Sequence, residues 1–380
     1  MASPTRAVSF LEQFSALNDP RQAAKVLYPL DEVLLLVLCA VLSGADDFVE
    51  IAGWGGMRLD FLRRFRPFAR GIPSHDTLND IFNMLDPGQF QSCFMAWAAG
   101  LRAAAGAGED PVGQDLIALD GKTSRRSGDR RKGRGPLHLV SAWASRQRLV
   151  LGQEAVAEAS NEIVAIPALL EKLALQGALV TIDAIGCQHA IAEAIREAGG
   201  DYLLAVKSNQ PALLDDLKLF FEDAYERDRL ECFETTDGDH GRIEVRRHRV
   251  CNDVQWLRER HRWKDLNSIA MVEASREIDG KTTLSRRFYI SSTQLDTKGV
   301  AAAVRSHWTI ENQLHWTLDV VFHDDLSRLR SENGPQNMAT IRHAALNLVK
   351  QAKDKASLKV RRKKAAWSVD YLEAILRGSA

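Results

Sequence analysis

The sequence predicts an α/β (α+β) multi-domain protein: a mixed sheet with flanking helices and a β-rich insertion, preceded by a helical N-terminal domain. Three observations carry this. Residues 1 to about 108 have helical texture throughout. From residue 114, apolar strand-like runs first follow one another and then alternate with helical segments. Between about 226 and 290 that rhythm gives way to period-two segments such as 244–250.

The elements follow in order. Asp31 precedes a run, 32–42, that is apolar on all sides, so it belongs in a core, and Gly44 closes it. Segment 47–62 is amphipathic but interrupted by Gly53, Gly55 and Gly56. Ser74 offers an N-cap to the apolar positions after it. A helix, a tight turn and a second capped helix are compatible with helix-turn-helix DNA binding, and equally with any helical domain. Arg58, Arg63, Arg64, Arg66 and Arg70 precede that turn. The stretch 100–113, rich in Ala and Gly and containing Pro111, reads as a linker. Strands are expected over 116–120, 137–144 and 149–159. Asn161 then caps a helix over 162–175, and a strand at 179–183, a helix at 189–198, a strand at 202–206 and a helix at 211–225 follow. Extended segments at 244–250, 268–273 and 284–290 form the insertion. Helices return from about 297, through Glu311, and over 336–351. The end of the chain reads as a basic tail closing in a short amphipathic segment, 369–376.

At 380 residues with 45% hydrophobic content the chain can bury a sizeable core. Its formal net charge is zero, but the charge is uneven. Seven basic residues and one acid lie between Lys122 and Arg134, and eight basic residues and one acid between Lys350 and Lys364. Such stretches either bind phosphate or are solvated loops and tails. The five cysteines form no Cys-x-x-Cys pair and are odd in number, against a disulfide framework or zinc ribbon. No signal-peptide pattern opens the chain, and the longest apolar run is too short for a bilayer. A cytoplasmic protein without a membrane partner is the default expectation.

Two apolar runs end in carboxylates: one delivers Asp120, after which Gly121 turns the chain, and the other delivers Asp183. A lone Asp there is usually a turn residue. A pair at buried strand ends is costly unless something compensates the charge, and a metal ion does so. Gly121-Lys122-Thr123 is not a phosphate-binding loop, because Leu116 stands where that motif needs glycine. Neither His-Glu-x-x-His nor Gly-x-Ser-x-Gly occurs. Glu311 supplies a third carboxylate in a helical stretch where Trp308, Glu311, His315 and Asp319 recur at spacings of three and four, on one face. Trp308 and Trp316 are expected in the core. His315 is either a satisfied histidine or a group near a scissile phosphate.

The stretch from Arg305 to Val320, with Trp308, Glu311, Asn312, His315 and Trp316, resembles the third-carboxylate region of the DDE transposases of bacterial insertion sequences. Leu119-Asp120-Gly121-Lys122, Ile182-Asp183-Ala184, Val206-Lys207-Ser208-Asn209-Gln210 and Ser74-His75-Asp76-Thr77 are similar to the H-repeat-associated group within them. The resemblance covers about residues 20 to 350. It implies an RNase H-like catalytic domain over 109–350 with its insertion at about 226–290. It also implies a helical N-terminal domain, 1–108, as candidate reader of DNA ends, and leaves 351–380 as a basic tail. By motif Asp120, Asp183 and Glu311 match the catalytic metal ligands, holding two Mg2+ or Mn2+ ions that clamp the attacking and leaving oxygens of a phosphodiester. His307 stands where wider insertion-sequence families carry Arg, and Leu318 where they carry Lys.

The expected activity is cleavage at insertion-sequence ends, followed by attack of the freed 3′-hydroxyl on target DNA. The expected DNA contacts are Lys122, Arg125, Arg126, Arg130, Arg131, Lys132 and Arg134 in an irregular loop, with Lys207, His307 and His315. The partners are terminal repeats, target DNA and a second copy of the chain, in a homodimer or higher assembly on DNA. The alternatives are an RNase H-fold nuclease that only hydrolyses, and an inactive DNA-binding relic.

Overall fold

A computed structural model describes residues 6–106, 113–157, 160–239, 242–278 and 281–379. Its strands are β1 (Asp115–Thr123), β2 (His138–Ala144), β3 (Leu149–Ala155), β4 (Ala178–Ile182), β5 (Asp201–Val206), β6 (Cys232–Asp239), β7 (Arg242–Cys251), β8 (Ser268–Ile278) and β9 (Lys281–Ser291). They form one mixed sheet in the order β3-β2-β1-β4-β5-β9-β8-β7-β6. β1, β4 and β5 run parallel, and the other pairings are antiparallel. The first five strands in this order make the RNase H-like core. The insertion is β-rich as expected, and it extends the same sheet: β9 pairs with β5 from Leu203↔Ser291 to Val206↔Phe288.

The helices are α1 (Arg6–Phe14), α2 (Leu30–Leu42), α3 (Phe48–Met57), α4 (Leu59–Leu62), α5 (His75–Met84), α6 (Pro87–Ala104), α7 (Glu162–Leu170), α8 (His189–Glu197), α9 (Pro211–Glu222), α10 (Ala224–Arg229), α11 (Gln255–His261), α12 (Thr297–Thr309), α13 (Trp316–Val321), α14 (Gly334–Lys350), α15 (Leu358–Trp367) and α16 (Val369–Arg377). Ile117, Leu119, Val180 and Ile182 point to the sheet face covered by α7, α8 and α9. Leu116 and Leu179 point to the other face, under α12. Strands buried on both faces read as continuous apolar runs, which is why β1 and β4 stood out in the sequence.

The apolar run of α2 is buried along its length, as its composition requires. It packs on α14 and α3, in a core shared with α5 and α6 that Ala118, Trp143 and Val150 join from the sheet. Asn347, fully buried on α14, accepts a hydrogen bond from Val150 N (2.8 Å) and donates one to Val150 O (2.9 Å). The helix amide thus satisfies the outer backbone of edge strand β3, which would otherwise invite pairing with another chain.

Several expectations are corrected. The segment after Ala352 is not a tail. α15 and α16 fold back on α1, α2 and α14, and Arg362 is buried, donating to Val41 O and Val321 O with Phe322 beneath its guanidinium. Long basic side chains bury their stems when carbonyls can take the head, and composition alone does not show this. The linker begins later than expected, since α6 runs to Ala104; residues 107–112 lie outside the described residues. α7 ends at Leu170, and Asn161 makes no side-chain cap. Ser74 does cap α5, accepting from Thr77 N.

Candidate catalytic centre

The last parallel rung between β1 and β4 is Leu119↔Ile182. Asp120 and Asp183 are the next residues on two strands spaced about 4.8 Å apart. β4 stops there and β1 does not, because β2 keeps pairing with it through Gly121↔Val140, Lys122↔Leu139 and Thr123↔His138. Gly121 therefore does not turn the chain, as the sequence had suggested. Asp120 sits where the neighbouring strand ends, which leaves an opening beside it. The Asp183 side chain accepts Ile185 N–H (3.0 Å) and starts a 3-10 turn over Ala184–Gly186. Asn209 and Gln210, after β5, donate to Ala184 O and Cys187 O and fix that turn.

Glu311 arrives from the other direction. Between α12 and α13 the helix widens into a π-turn, Ile310–His315, a local irregularity frequent at functional sites. Ile310 and Leu314 stay buried while Glu311 and His315 turn toward β1. His315 Nδ1 lies 3.4 Å from Asp120 Oδ2 and 3.8 Å from Glu311 Oε2. Ligand atoms of Asp120, Glu311 and His315 all fall within 4.8 Å of one another, a group capable of holding a metal ion. Burial opposes charge on His315, yet the two carboxylates overcome it and raise its pKa. Glu311 is held below its ordinary range, chiefly by its bond with His315. His315 Nε2 is buried and has no hydrogen-bond partner. His307 lies on α12 with Nδ1 3.0 Å from Thr181 Oγ1, and burial depresses its pKa although Asp120, Asp183 and Glu311 pull the other way.

The expected shared face divides. Asp319 turns to Lys122, whose Nζ lies 2.7 Å from Asp319, 3.4 Å from Asp324 and 3.3 Å from Asp325. Arg342 donates to Asp324 (2.9 Å) from the buried side. Among the described residues this second acidic group already pairs with three cationic side chains, Lys122, Arg342 and Arg125, whereas Asp120 and Glu311 pair with His315. The oxygen-rich donors of the first group suit a hard divalent cation. Trp308 and Trp316 are not core residues: 43% and 58% exposed, they stand at the surface, with Arg287 5.0 Å over the Trp308 ring. Trp308 precedes the π-turn and faces the groove beside the insertion, while Trp316 follows it. Trp308, Arg287, Arg246, Arg276 and Lys298 line a groove of about 870 Å3 between α12 and the insertion, which reaches Asn312 beside Glu311.

Glu162 was not found from the sequence, where it is simply the first residue of a helix. It is 17% exposed, its Oε1 is 2.8 Å from His138 Nε2, and His138 Nδ1 is 2.7 Å from Thr123 Oγ1. Burial pushes the Glu162 carboxyl up despite His138, and the charges of Asp120 and Asp183 add to that.

The basic loop is more regular than expected. Asp129 and Arg134 exchange backbone hydrogen bonds around a 3-10 turn, Arg130–Lys132. Arg134 donates to Arg330 O and Glu332 O, while Arg125, Arg126, Arg131 and Lys132 are exposed. The Arg130 side chain lies outside the described residues. Lys207 is exposed at the end of β5.

The profile of the family described as "Transposase DDE domain" matches residues 111–348, and that described as "DDE_Tnp_1-associated" matches 11–98. The chain is 38% identical to the protein named "H repeat-associated putative transposase YhhI" of Escherichia coli K12, over 97% of this chain and 98% of that one. It is 45% identical to a protein encoded in the dhlA 3′ region of Xanthobacter autotrophicus, over 74% of this chain and 94% of that one. A shorter relative, "Inactive transposase YbfQ" of Escherichia coli K12, is 46% identical over 18% of this chain and 81% of that one.

Proposed function

The chain belongs to the family of transposases with a DDE domain, and from that premise we propose that it cuts DNA at the ends of an insertion sequence and joins the freed ends to target DNA. The observation that carries this reading is the meeting of Asp120 and Glu311, 191 positions apart in the chain, within 4.8 Å of each other and of His315. Asp183 stands on the adjacent strand end. Asp120, Asp183 and Glu311 would hold two Mg2+ or Mn2+ ions. When bound, such cations supply positive charge to the attacking and departing oxygens of a phosphodiester. His315 ties Glu311 to Asp120 and so fixes the helix that carries the third ligand. Burial lowers the pKa of His307 and its Nδ1 engages Thr181 Oγ1, so it would serve to position rather than to hold phosphate.

Arg125, Arg126, Arg131 and Lys132, exposed in the loop after β1, would track phosphate backbone, with Lys207, exposed after β5, as a further contact. The helical N-terminal region, 1–108, reads the terminal repeats, and two copies of the chain bring two ends together. Among the described residues no helix is long and apolar enough to cross a membrane.

The test supplies an end-sequence duplex with a free 3′-hydroxyl, a supercoiled plasmid and Mg2+. Covalently joined product is expected from the wild type. Asp120→Asn is expected to lower it more than about 100-fold while duplex binding persists, because the substitution removes charge and keeps shape. Hydrolysis without joined product would identify a nuclease. Binding with neither reaction would identify a DNA-binding relic.

A further inference from the structure

We propose that Glu162 is a fourth carboxylate of the cation site, reaching it from the sheet face opposite Glu311. The proposal rests on the reading of Asp120, Asp183 and Glu311 as cation ligands, and adds a residue that reading does not use.

Alternation along β1 puts Asp120 on the same side as Leu116, under α12, and Gly121 on the side of Ile117 and Leu119, under α7. Glu162 opens α7, and its carboxylate lies against the Gly121 backbone. A Cβ built on Gly121 would overlap Glu162 Oε1 and come within 2.9 Å of His138 Nε2. Gly121 shows no positive φ, so conformational freedom does not call for glycine here. The missing side chain instead leaves the space that the Glu162 carboxylate fills. β4 has ended by this point, so nothing from that strand separates the two faces beside β1. Thr123 and His138 form a short relay of hydrogen bonds that holds one Glu162 oxygen. The Glu162 carboxylate adds negative charge against the backbone of Gly121, the residue next to Asp120, and the nearby Lys122 is already committed to Asp319, Asp324 and Asp325, so a shared cation would offset that charge. Asp120 would then be bracketed by one acid from each face: Glu311 from the π-turn and Glu162 from α7.

Mn2+ binding to the full-length protein without DNA tests this, read by electron paramagnetic resonance of free Mn2+ and by calorimetry. Wild type, Asp120→Asn, Glu162→Gln, Gly121→Ala and the Glu162→Gln/Gly121→Ala pair are compared, with circular dichroism and urea melts confirming the folded state. Glu162→Gln is expected to weaken at least one Mn2+ site about 10-fold or more. Gly121→Ala is expected to do likewise by displacing the flexible end of Glu162, and the double variant to be no weaker than the worse single one. Unchanged Mn2+ affinity in folded Glu162→Gln, with binding lost in Asp120→Asn, would overturn the role of Glu162 and leave the three-carboxylate reading standing. Additive losses in the double variant would also overturn it. Mn2+ binding indifferent to Asp120→Asn would overturn both.

Discussion

Burial disfavours a charged imidazole, but Asp120 and Glu311 together raise the pKa of His315 above its ordinary 6.5. The sign follows. Below about pH 6.5 the imidazolium exists folded and unfolded, and its pairing with the two acids stabilises the fold in full. As pH rises through the raised folded value that stabilisation is lost. In EDTA, the stability difference between wild type and His315→Gln should therefore shrink as pH increases above 6.5. A difference independent of pH would mean that His315 is neutral and merely packed. Lys122 makes a separate case. Its side chain is 11% exposed among three carboxylates, of which that of Asp324 is 9% exposed, so removing the ammonium strands buried charge. Lys122→Met should cost about 3 kcal/mol in urea unfolding. A loss under about 1 kcal/mol would place these pairs in effectively solvated surroundings. The sequence showed Lys122 as the first residue of a basic stretch, because the acids that claim it lie some 200 positions later. Glu162 was hidden for the same reason: its neighbours are Gly121 and His138, and no local pattern announces a contact made across strands.

Elements buried on both faces were the most legible. β1 and β4 carry continuous apolar runs, and their ends delivered Asp120 and Asp183. The strand alternation of 226–290 was also readable, but not its destination, since attachment of β9 to β5 is a long-range pairing. The π-turn left no sequence mark beyond the motif around Glu311, and the groove that Trp308 faces is built with the distant insertion. α15 and α16 were obscured by charge: five of the ten residues of Leu358–Trp367 are basic, and only the fold shows that Arg362 turns inward. The basic loop next to β1 carries its own prediction. Arg126, Arg131 and Lys132 are exposed, so their joint replacement by Ala should make log affinity for DNA less steep in log salt by about 2 to 3, with similar loss on every sequence. An unchanged slope would move phosphate contact to the helical N-terminal region or to α15.

At the scale of the whole molecule the two chain ends share one core. α2, α5 and α6 pack against α14, and α14 closes edge strand β3, so the helical layer and the sheet are mutually supporting. The proposed cation site lies where the parallel strands end, between α7 on one face and the π-turn on the other, the usual place for ligands in sheets of this kind. Two acidic groups compete for the role of cation site, and we assign it to Asp120, Asp183 and Glu311 because Lys122, Arg342 and Arg125 fill the other. The most direct measurement is the anomalous scattering of Mn2+ in crystals of the full-length protein. Density is expected in contact with Asp120 and Glu311, with Asp183 turned from Ile185 N–H to join them. Density at Asp319, Asp324 and Asp325 instead, or Asp183 left on Ile185 N–H beyond reach of the ion, would contradict that assignment.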